Sequence, residues 1–230
     1  MIGADKSISI EAAISQIKNG DTVMIGGFGV PGTPFSLIEE LVAQGQSGLT
    51  IIKNDSNMPD MGVDRLLGNG QVTRLIVSHI GLNPNAVGMM NEKILEVEFC
   101  AQGILAERIR CAGAGLQGFL TDIGLDTDLA KGKATIEMDG KTLLIEKALS
   151  ADFALIHADR SDPFGNLTYV GSAQNFNPLM AMAADHTIAE TETLVAAGEL
   201  QPEEIHTPGP FVDGVVFVPE LSEYYGVVER

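Results

Sequence analysis

Short apolar runs that recur between helical stretches constrain this chain's fold more than any other feature. TVMI at 22–25, LTIIK at 49–53, RLIVS at 74–78, ADFALIHA at 151–158 and HTIAE at 186–190 each read as a strand. Most lack polar alternation, as strands buried on both faces do. Ile10, Ala13, Ile14 and Ile17 recur at helical spacing before Gly20, and Leu37, Ile38, Leu41 and Val42 do so within 35–43 before Gly45. ILEVEFC at 94–100 alternates or is buried, and a helix follows in ILAERIRC, closed by the AGAG of 112–115. Alternation at this spacing predicts βαβ units: a three-layer open α/β fold with a mainly parallel sheet and helices on both faces.

The rhythm breaks once. ATIEM and KTLLIE flank Asp139-Gly140, the dipeptide that best signals a two-residue hairpin, so an antiparallel β-hairpin excursion is expected near 133–146. DRSDPFGN at 159–166 reads as a turn cluster before NLTYV. Asn177-Pro178 ahead of LMAMAA reads as an N-cap and a first-turn proline. HTPGP and VVFVPE suggest an extended terminal segment. With no repeat or linker in view, residues 1–230 read as a single α/β domain.

After the first strand comes IGGFGVPGTP, which contains G-x-G-x-x-G from Gly27 to Gly32. A helix and a second strand follow, and Asp55 stands where a ribose-binding acid belongs, so a nicotinamide-dinucleotide site of an oxidoreductase is one reading. The prolines oppose it. A helix starting at the second glycine would take Pro34 into its first turns, costing roughly 3 kcal/mol. Thr33 as N-cap and Pro34 as first helical residue fit better. Gly26, Gly27, Phe28, Gly29, Val30, Pro31 and Gly32 then form an open ligand loop offering bare backbone N–H groups to a carbonyl or phosphate.

Asn54 and Asp55 end one strand, His79 another, and Gln102 follows a third. Open α/β sheets hold ligands at such strand exits. Each residue alone is an ordinary loop residue; together with the glycine loop they would line one crevice. The Gln102 amide could donate to a carbonyl oxygen that gains charge. His157, His186 and His206 read as structural, and the acidic run Glu190, Glu192, Glu199, Glu203, Glu204 reads as a solvated surface. No metal-ligand spacing, G-x-S-x-G elbow or P-loop lysine is present. The inventory holds donors and a cradle but no evident nucleophile.

Bulk charge narrows the partners. With 14 Lys and Arg against 31 Asp and Glu, the formal charge is -17, which opposes nucleic-acid and anionic-membrane surfaces. The N-terminal residues carry no secretion pattern and no apolar run is long enough to span a bilayer, so the chain reads as soluble and cytoplasmic. Its two cysteines, Cys100 and Cys111, read as reduced core thiols.

IGGFGVPGTP, IIKND, SHIG, EFCAQGILAERIRCAGAG, ADFALIHADRSDPFGNLTY, AQNFNPLMAMAA and GELQPEEIHTPG, in that order, resemble the alpha subunit of class I (3-oxoacid) coenzyme A transferases of the acetate/acetoacetate type. The resemblance runs from about residue 8 to 215. It implies transfer of coenzyme A from an acyl-CoA to a short carboxylic acid in ping-pong steps through a glutamyl-CoA thioester. The glutamate would sit in a Ser-Glu-Asn-Gly motif of a beta subunit, within an α2β2 assembly. This chain lacks that motif; its Ser-Glu lies in LSEYYG. No permanent cofactor is implied, only coenzyme A thioesters as substrates. By the same resemblance Gly26–Gly32 contact coenzyme A or the acyl group, Gln102 holds the thioester oxyanion, and Asn54, Asp55 and His79 face substrate. His79 replaces a tyrosine found in some members, and VPGTP replaces LCGIP-like wording. The remaining readings are the oxidoreductase domain and a non-catalytic subunit that binds an acyl-CoA or sugar phosphate.

Overall fold

The computed structural model describes residues 5–227. Along the chain run α1 (Ile10–Ile14), β1 (Thr22–Ile25), α2 (Phe35–Gln44), β2 (Leu49–Ile52), α3 (Val63–Gly68), β3 (Val72–Val77), α4 (Pro84–Asn91), β4 (Glu96–Phe99) and α5 (Gln102–Gly113). There follow β5 (Gly118–Thr121), β6 (Thr135–Met138), β7 (Lys141–Lys147), β8 (Ala151–Ser161), β9 (Leu167–Thr168), α6 (Asn177–Ala183), β10 (Ala184–Leu194) and β11 (Gly214–Phe217).

The main sheet has the order β11-β10-β8-β1-β2-β3-β4, all parallel, with short β9 antiparallel to β8. Period-two alternation divides its side chains between two cores. Val23, Ile25, Ile51, Leu75 and Val77 pack with α1 to α4 on one face. Met24, Ile52, Ile76, Ala154 and Ile156 pack with Leu105 and Ile109 of α5 and Met180 of α6 on the other. The expected three-layer, mainly parallel architecture is therefore observed. Its first half winds from β1 toward β4 and its second from β8 toward β11, so the strand order reverses between β1 and β8.

The hairpin turns where expected, with Asp139 at φ 51° and Gly140 at φ 74°, the paired positive angles of a type I′ turn. GFLT adds β5 to it, making a separate three-stranded antiparallel sheet.

Several local expectations shift. α1 stops at Ile14 rather than running to Gly20, because the chain tightens into i→i−3 bonds, Ile17 N–H to Ile14 O at 3.1 Å among them. Pro34, not Thr33, is the N-cap of α2; the Thr33 hydroxyl is spent on Gly29 O at 2.7 Å. The orphan Leu37 N–H is instead capped across the fold by Glu190 at 3.0 Å. Asn177 is the first helical residue of α6, with Phe176 as cap, because its side chain is used tertiarily. DRS at 159–161 continues β8 instead of turning, since β10 pairs with it as far as Leu194↔Ser161. The terminal VVF enters the sheet as edge strand β11.

Candidate active site

The glycine loop leaves β1 at the point where the strand order reverses, the place where open α/β sheets bind ligands. Two asparagines from the segment entering α6 clamp it. Asn175 accepts from Gly27 N–H at 3.2 Å and donates to Pro31 O at 2.9 Å, while Asn177 donates to Gly32 O at 3.1 Å. Glycine is required by this approach. A Cβ on Gly26 would lie 1.7 Å from Asn177 Oδ1, and Gly32, at φ 73°, would set one 2.4 Å from Ala173 O.

The loop does not offer the bare cradle expected of it. Gly26 N–H donates to Leu155 O, Gly27 to Asn175, Phe28 to Pro31 O at 3.1 Å and Gly29 to Asp55 at 2.8 Å. With these groups turned inward, the loop presents the Phe28 ring, which is 46% exposed. That ring borders a cavity of about 170 Å³ and two open clefts, one of them lined by Gln102.

The strand-exit residues come together by hydrogen bonding. Asn54 is fully buried; its Oδ1 accepts from Gln102 Nε2 at 2.8 Å and from Ser78 Oγ at 3.0 Å. Its Nδ2 donates to Asp55 Oδ2 at 3.0 Å. Asp55 also accepts from Gly29 and Asn57 N–H, and its Oδ1 lies 3.5 Å from the Nζ of Lys53, which is wholly buried. Burial raises the Asp55 carboxyl, but Lys53 and these donors outweigh it and hold the carboxyl below its ordinary range. Burial pulls the Lys53 ammonium down despite the pull of Asp55. An ionised Asp55 can only accept, so Asn54 must turn its amide nitrogen toward it and its oxygen toward Gln102. Gln102 is thereby obliged to present its NH₂, keeping one N–H beyond the bond to Asn54. His79 stands beside Asp55 in a parallel bridge, its Nδ1 3.0 Å from Ser78 Oγ.

The small cavity is walled by Phe28, Val30, Met58, Met61, Ile80 and Leu82. Asp55, Ser56 and His79 supply its polar side.

A second polar centre lies behind the loop, and the sequence reading missed it. His157, taken as structural, is 3% exposed and held between Glu190 at 2.9 Å and Glu192 at 3.0 Å. Glu190 belongs to the run read as surface, yet only 1% of it is exposed. The register of β10 on β8 sets Glu190 opposite His157 and carries it inside. Burial lowers the His157 pKa, but the two carboxylates outweigh it and raise it to about 9, so the ring is an imidazolium at neutral pH. Lys53, Ser78, Asn57, Asn175 and Asn177 also escaped the sequence reading. The Asn-Pro signal at 177–178 marked a helix start and gave no hint of a clamp.

The dinucleotide reading loses both of its chemical supports in this geometry. The N–H groups of Gly26, Gly27, Phe28 and Gly29 are occupied, and the Asp55 carboxylate is consumed by four donors inside the protein. Among the described residues no His, Cys, Asp and Glu cluster could hold a metal ion, and no helix is long and apolar enough to cross a membrane.

Comparison with known proteins gives a concordant result. The sequence matches the family described as Coenzyme A transferase over residues 7–217. It is 52% identical over 212 residues to the probable coenzyme A transferase subunit alpha of Bacillus subtilis, covering 92% of this chain and 93% of the relative. It is 47% identical to the acetate CoA-transferase subunit alpha of Escherichia coli K12, with coverages of 92% and 96%. In fold it is similar to an acyl-CoA transferase of E. coli O157:H7 solved as a thioester complex with CoA, at a TM-score of 0.86 and 24% identity. There it covers 99% of this chain but spans only half of that one. Family match, identity and architecture agree: this chain belongs to the coenzyme A transferase family.

Proposed function

We infer that this chain is the alpha subunit of a short-chain acyl-CoA:carboxylate CoA-transferase of the acetate, acetoacetate and butyrate class, working with a beta subunit in an α2β2 assembly. The observation that carries the reading is the Gln102–Asn54 bond at the mouth of the loop, backed by Asp55 and Lys53. It delivers an oriented neutral donor beside a cleft bordered by Phe28. The names of the relatives support the substrate class and the need for a second subunit.

A glutamate of the partner attacks the thioester carbonyl. The carbonyl oxygen takes up negative charge, and the free N–H of Gln102 meets it. Collapse expels the CoA thiolate and leaves an acyl-glutamyl anhydride. The thiolate then attacks the glutamyl carbonyl, releasing the first acid and forming the glutamyl-CoA thioester. The incoming carboxylate reverses these steps. Gly26–Gly32 and Phe28 position the thioester, and Asn54, Asp55 and His79 shape the acyl side. A donor preoriented in a site closed by the partner is worth a few kcal/mol of transition-state stabilisation.

The test uses the complex isolated through a tag on this chain, with acetoacetyl-CoA and acetate as substrates. The complex forms acetyl-CoA and the lone chain does not. Gln102→Ala lowers turnover tenfold to a hundredfold or more while assembly is retained. Exchange by the lone chain would place the nucleophile here, and an unchanged turnover in the variant would remove Gln102 from its role.

A further inference from the structure

The family match ends at residue 217, and β11 ends there too, so the LSEYYG of 221–226 belongs neither to the matched region nor to the sheet. It nevertheless folds back onto the glycine loop. Glu223–Val227 forms a single 3₁₀ turn, with Tyr225 N–H donating to Ser222 O at 3.1 Å. One such turn does not hold itself together in water. Two rings fasten it to the body of the protein. Tyr224 and Tyr225 each stand 5.1 Å from the Phe35 ring, centroid to centroid, the first tilted at 50° and the second edge-on at 76°. Phe35 has no exposed surface, and it packs with Val30 of the loop and with Met61.

The polar contacts of the two tyrosines fall where the loop closes. Tyr225 Oη donates to Thr33 O. Thr33 ties the end of the loop to its middle: its hydroxyl donates to Gly29 O at 2.7 Å and its N–H to Val30 O at 3.1 Å. Tyr224 Oη donates to Asp60 O at 2.9 Å and accepts from Arg65 of α3, which also meets Glu39 of α2 at 3.1 Å. The Tyr225 ring lies 4.9 Å from the His157 imidazole. A cation held by two carboxylates and facing an aromatic ring is a further attraction. Neither tyrosine lines the cavity or the two clefts bordered by Phe28, so any effect on the chemistry passes through the loop.

We propose that LSEYYG is a clasp, in which Tyr224 and Tyr225 are positioning residues that hold the glycine loop and the start of α2 ready for the acyl-CoA. The role rests on the transferase function inferred above. Asn175 and Asn177 hold the loop from the α6 side, and the clasp holds it from the α2 side. With the clasp open, Phe35 loses the two rings beside it, Thr33 O loses a donor, and the loop spends part of its time out of place. An acyl-CoA then binds only the fraction of molecules whose loop is set, which raises the apparent dissociation constant by the inverse of that fraction. Once bound, the thioester keeps the loop in the same place and turns over as before.

The experiment measures kcat and KM for acetoacetyl-CoA at saturating acetate, with the tagged complex carrying Tyr224→Ala and Tyr225→Ala together. KM rises by roughly tenfold or more, the order of magnitude of an aromatic pair and a hydrogen bond, while kcat changes by less than about twofold. Tyr224→Phe with Tyr225→Phe keeps the rings and recovers most of the loss. A fall in kcat at unchanged KM would mean that the variant merely loses folded complex; that result, or wild-type kinetics, overturns the positioning role. A second readout does not depend on activity. In the full chain His157 gives one of four imidazole NMR signals, identified by its loss in His157→Gln, and Tyr225→Leu moves that signal as the ring beside it goes. A signal that stays in place shows that the clasp is not closed in solution and overturns the proposal. A wild-type complex that exchanges no acyl-CoA overturns the transferase reading, and the positioning role falls with it even where the imidazole signal moves.

Discussion

Replacing Asp55 by asparagine tests the polar chain that orients the site. In the wild-type protein the Asp55 carboxylate receives Gly29 N–H, Asn57 N–H, the Asn54 amide and the ammonium of Lys53. An asparagine has one acceptor oxygen for these donors and turns two N–H groups toward them. Lys53 has no exposed surface, so it loses its counter-charge without gaining water. Breaking a buried pair in this way costs about 3–5 kcal/mol. The cost has a ceiling, because a lysine of ordinary pKa gives up its proton at pH 7 for roughly 4.6 kcal/mol. Asp55→Asn should therefore lose about 3–4 kcal/mol, lowering the Tm of a chain this size by roughly 10 °C.

The pH dependence identifies the cause. With its folded-state pKa further below the unfolded value, Lys53 binds fewer protons folded than unfolded, so stability rises with pH across that interval. The variant should gain stability between pH 7 and 9 more steeply than the wild-type protein, and adding Lys53→Met should abolish the extra slope. Turnover should stay low in the double variant, because Asn54 is then free to flip and Gln102 no longer presents its donor by necessity. Unfolding followed by circular dichroism over that pH range reads all of this. A loss below about 1 kcal/mol with no added pH slope would refute the account of the pair.

Two further predictions follow from the same region. His157 has a folded pKa of about 9, above its ordinary 6.5. Its stabilising contribution is thus complete below pH 6.5 and is lost as pH rises through 9, to an extent of about 3 kcal/mol. The stability difference between the wild-type protein and His157→Gln should shrink over that window; a difference independent of pH would show that the ring is not held as an imidazolium. Gly26→Ala would drive a methyl group to within 1.7 Å of Asn177 Oδ1, displacing the clamp at a cost of about 1–3 kcal/mol and most of the transferase activity. Full activity in that variant would mean that the loop's position is immaterial to the chemistry.

How much of this was legible in the sequence depended on whether the signal was local. The hairpin at Asp139-Gly140 was readable because two adjacent residues carry the turn's dihedral requirement. Gln102, Asn54, Asp55 and His79 were readable as strand exits, since each follows a short apolar run. Their order within a hydrogen-bonded chain was not readable, because Ser78 and Lys53 look like ordinary strand ends. The glycine loop misled in one respect: its pattern suggests free N–H groups, whereas the acceptors of Gly26 and Gly27, Leu155 and Asn175, come from more than a hundred residues away.

The sequence by itself determined the alternation of strands and helices, the division of each strand between two cores, and the family to which the chain belongs, because apolar period and motif wording are carried by neighbouring residues. Tertiary structure alone decided which polar groups met. The reversal of strand order puts β8 against β1, bringing Asn175 and Asn177 onto the glycine loop. The register of two eleven-residue strands carries Glu190 from an acidic run into the core opposite His157. Lys53, just beyond β2, is buried with the Asp55 carboxylate 3.5 Å from its ammonium. For the two asparagines and for Glu190 the partner is chosen by strand order and register, and a buried charge or donor is tolerated only where its complement is supplied.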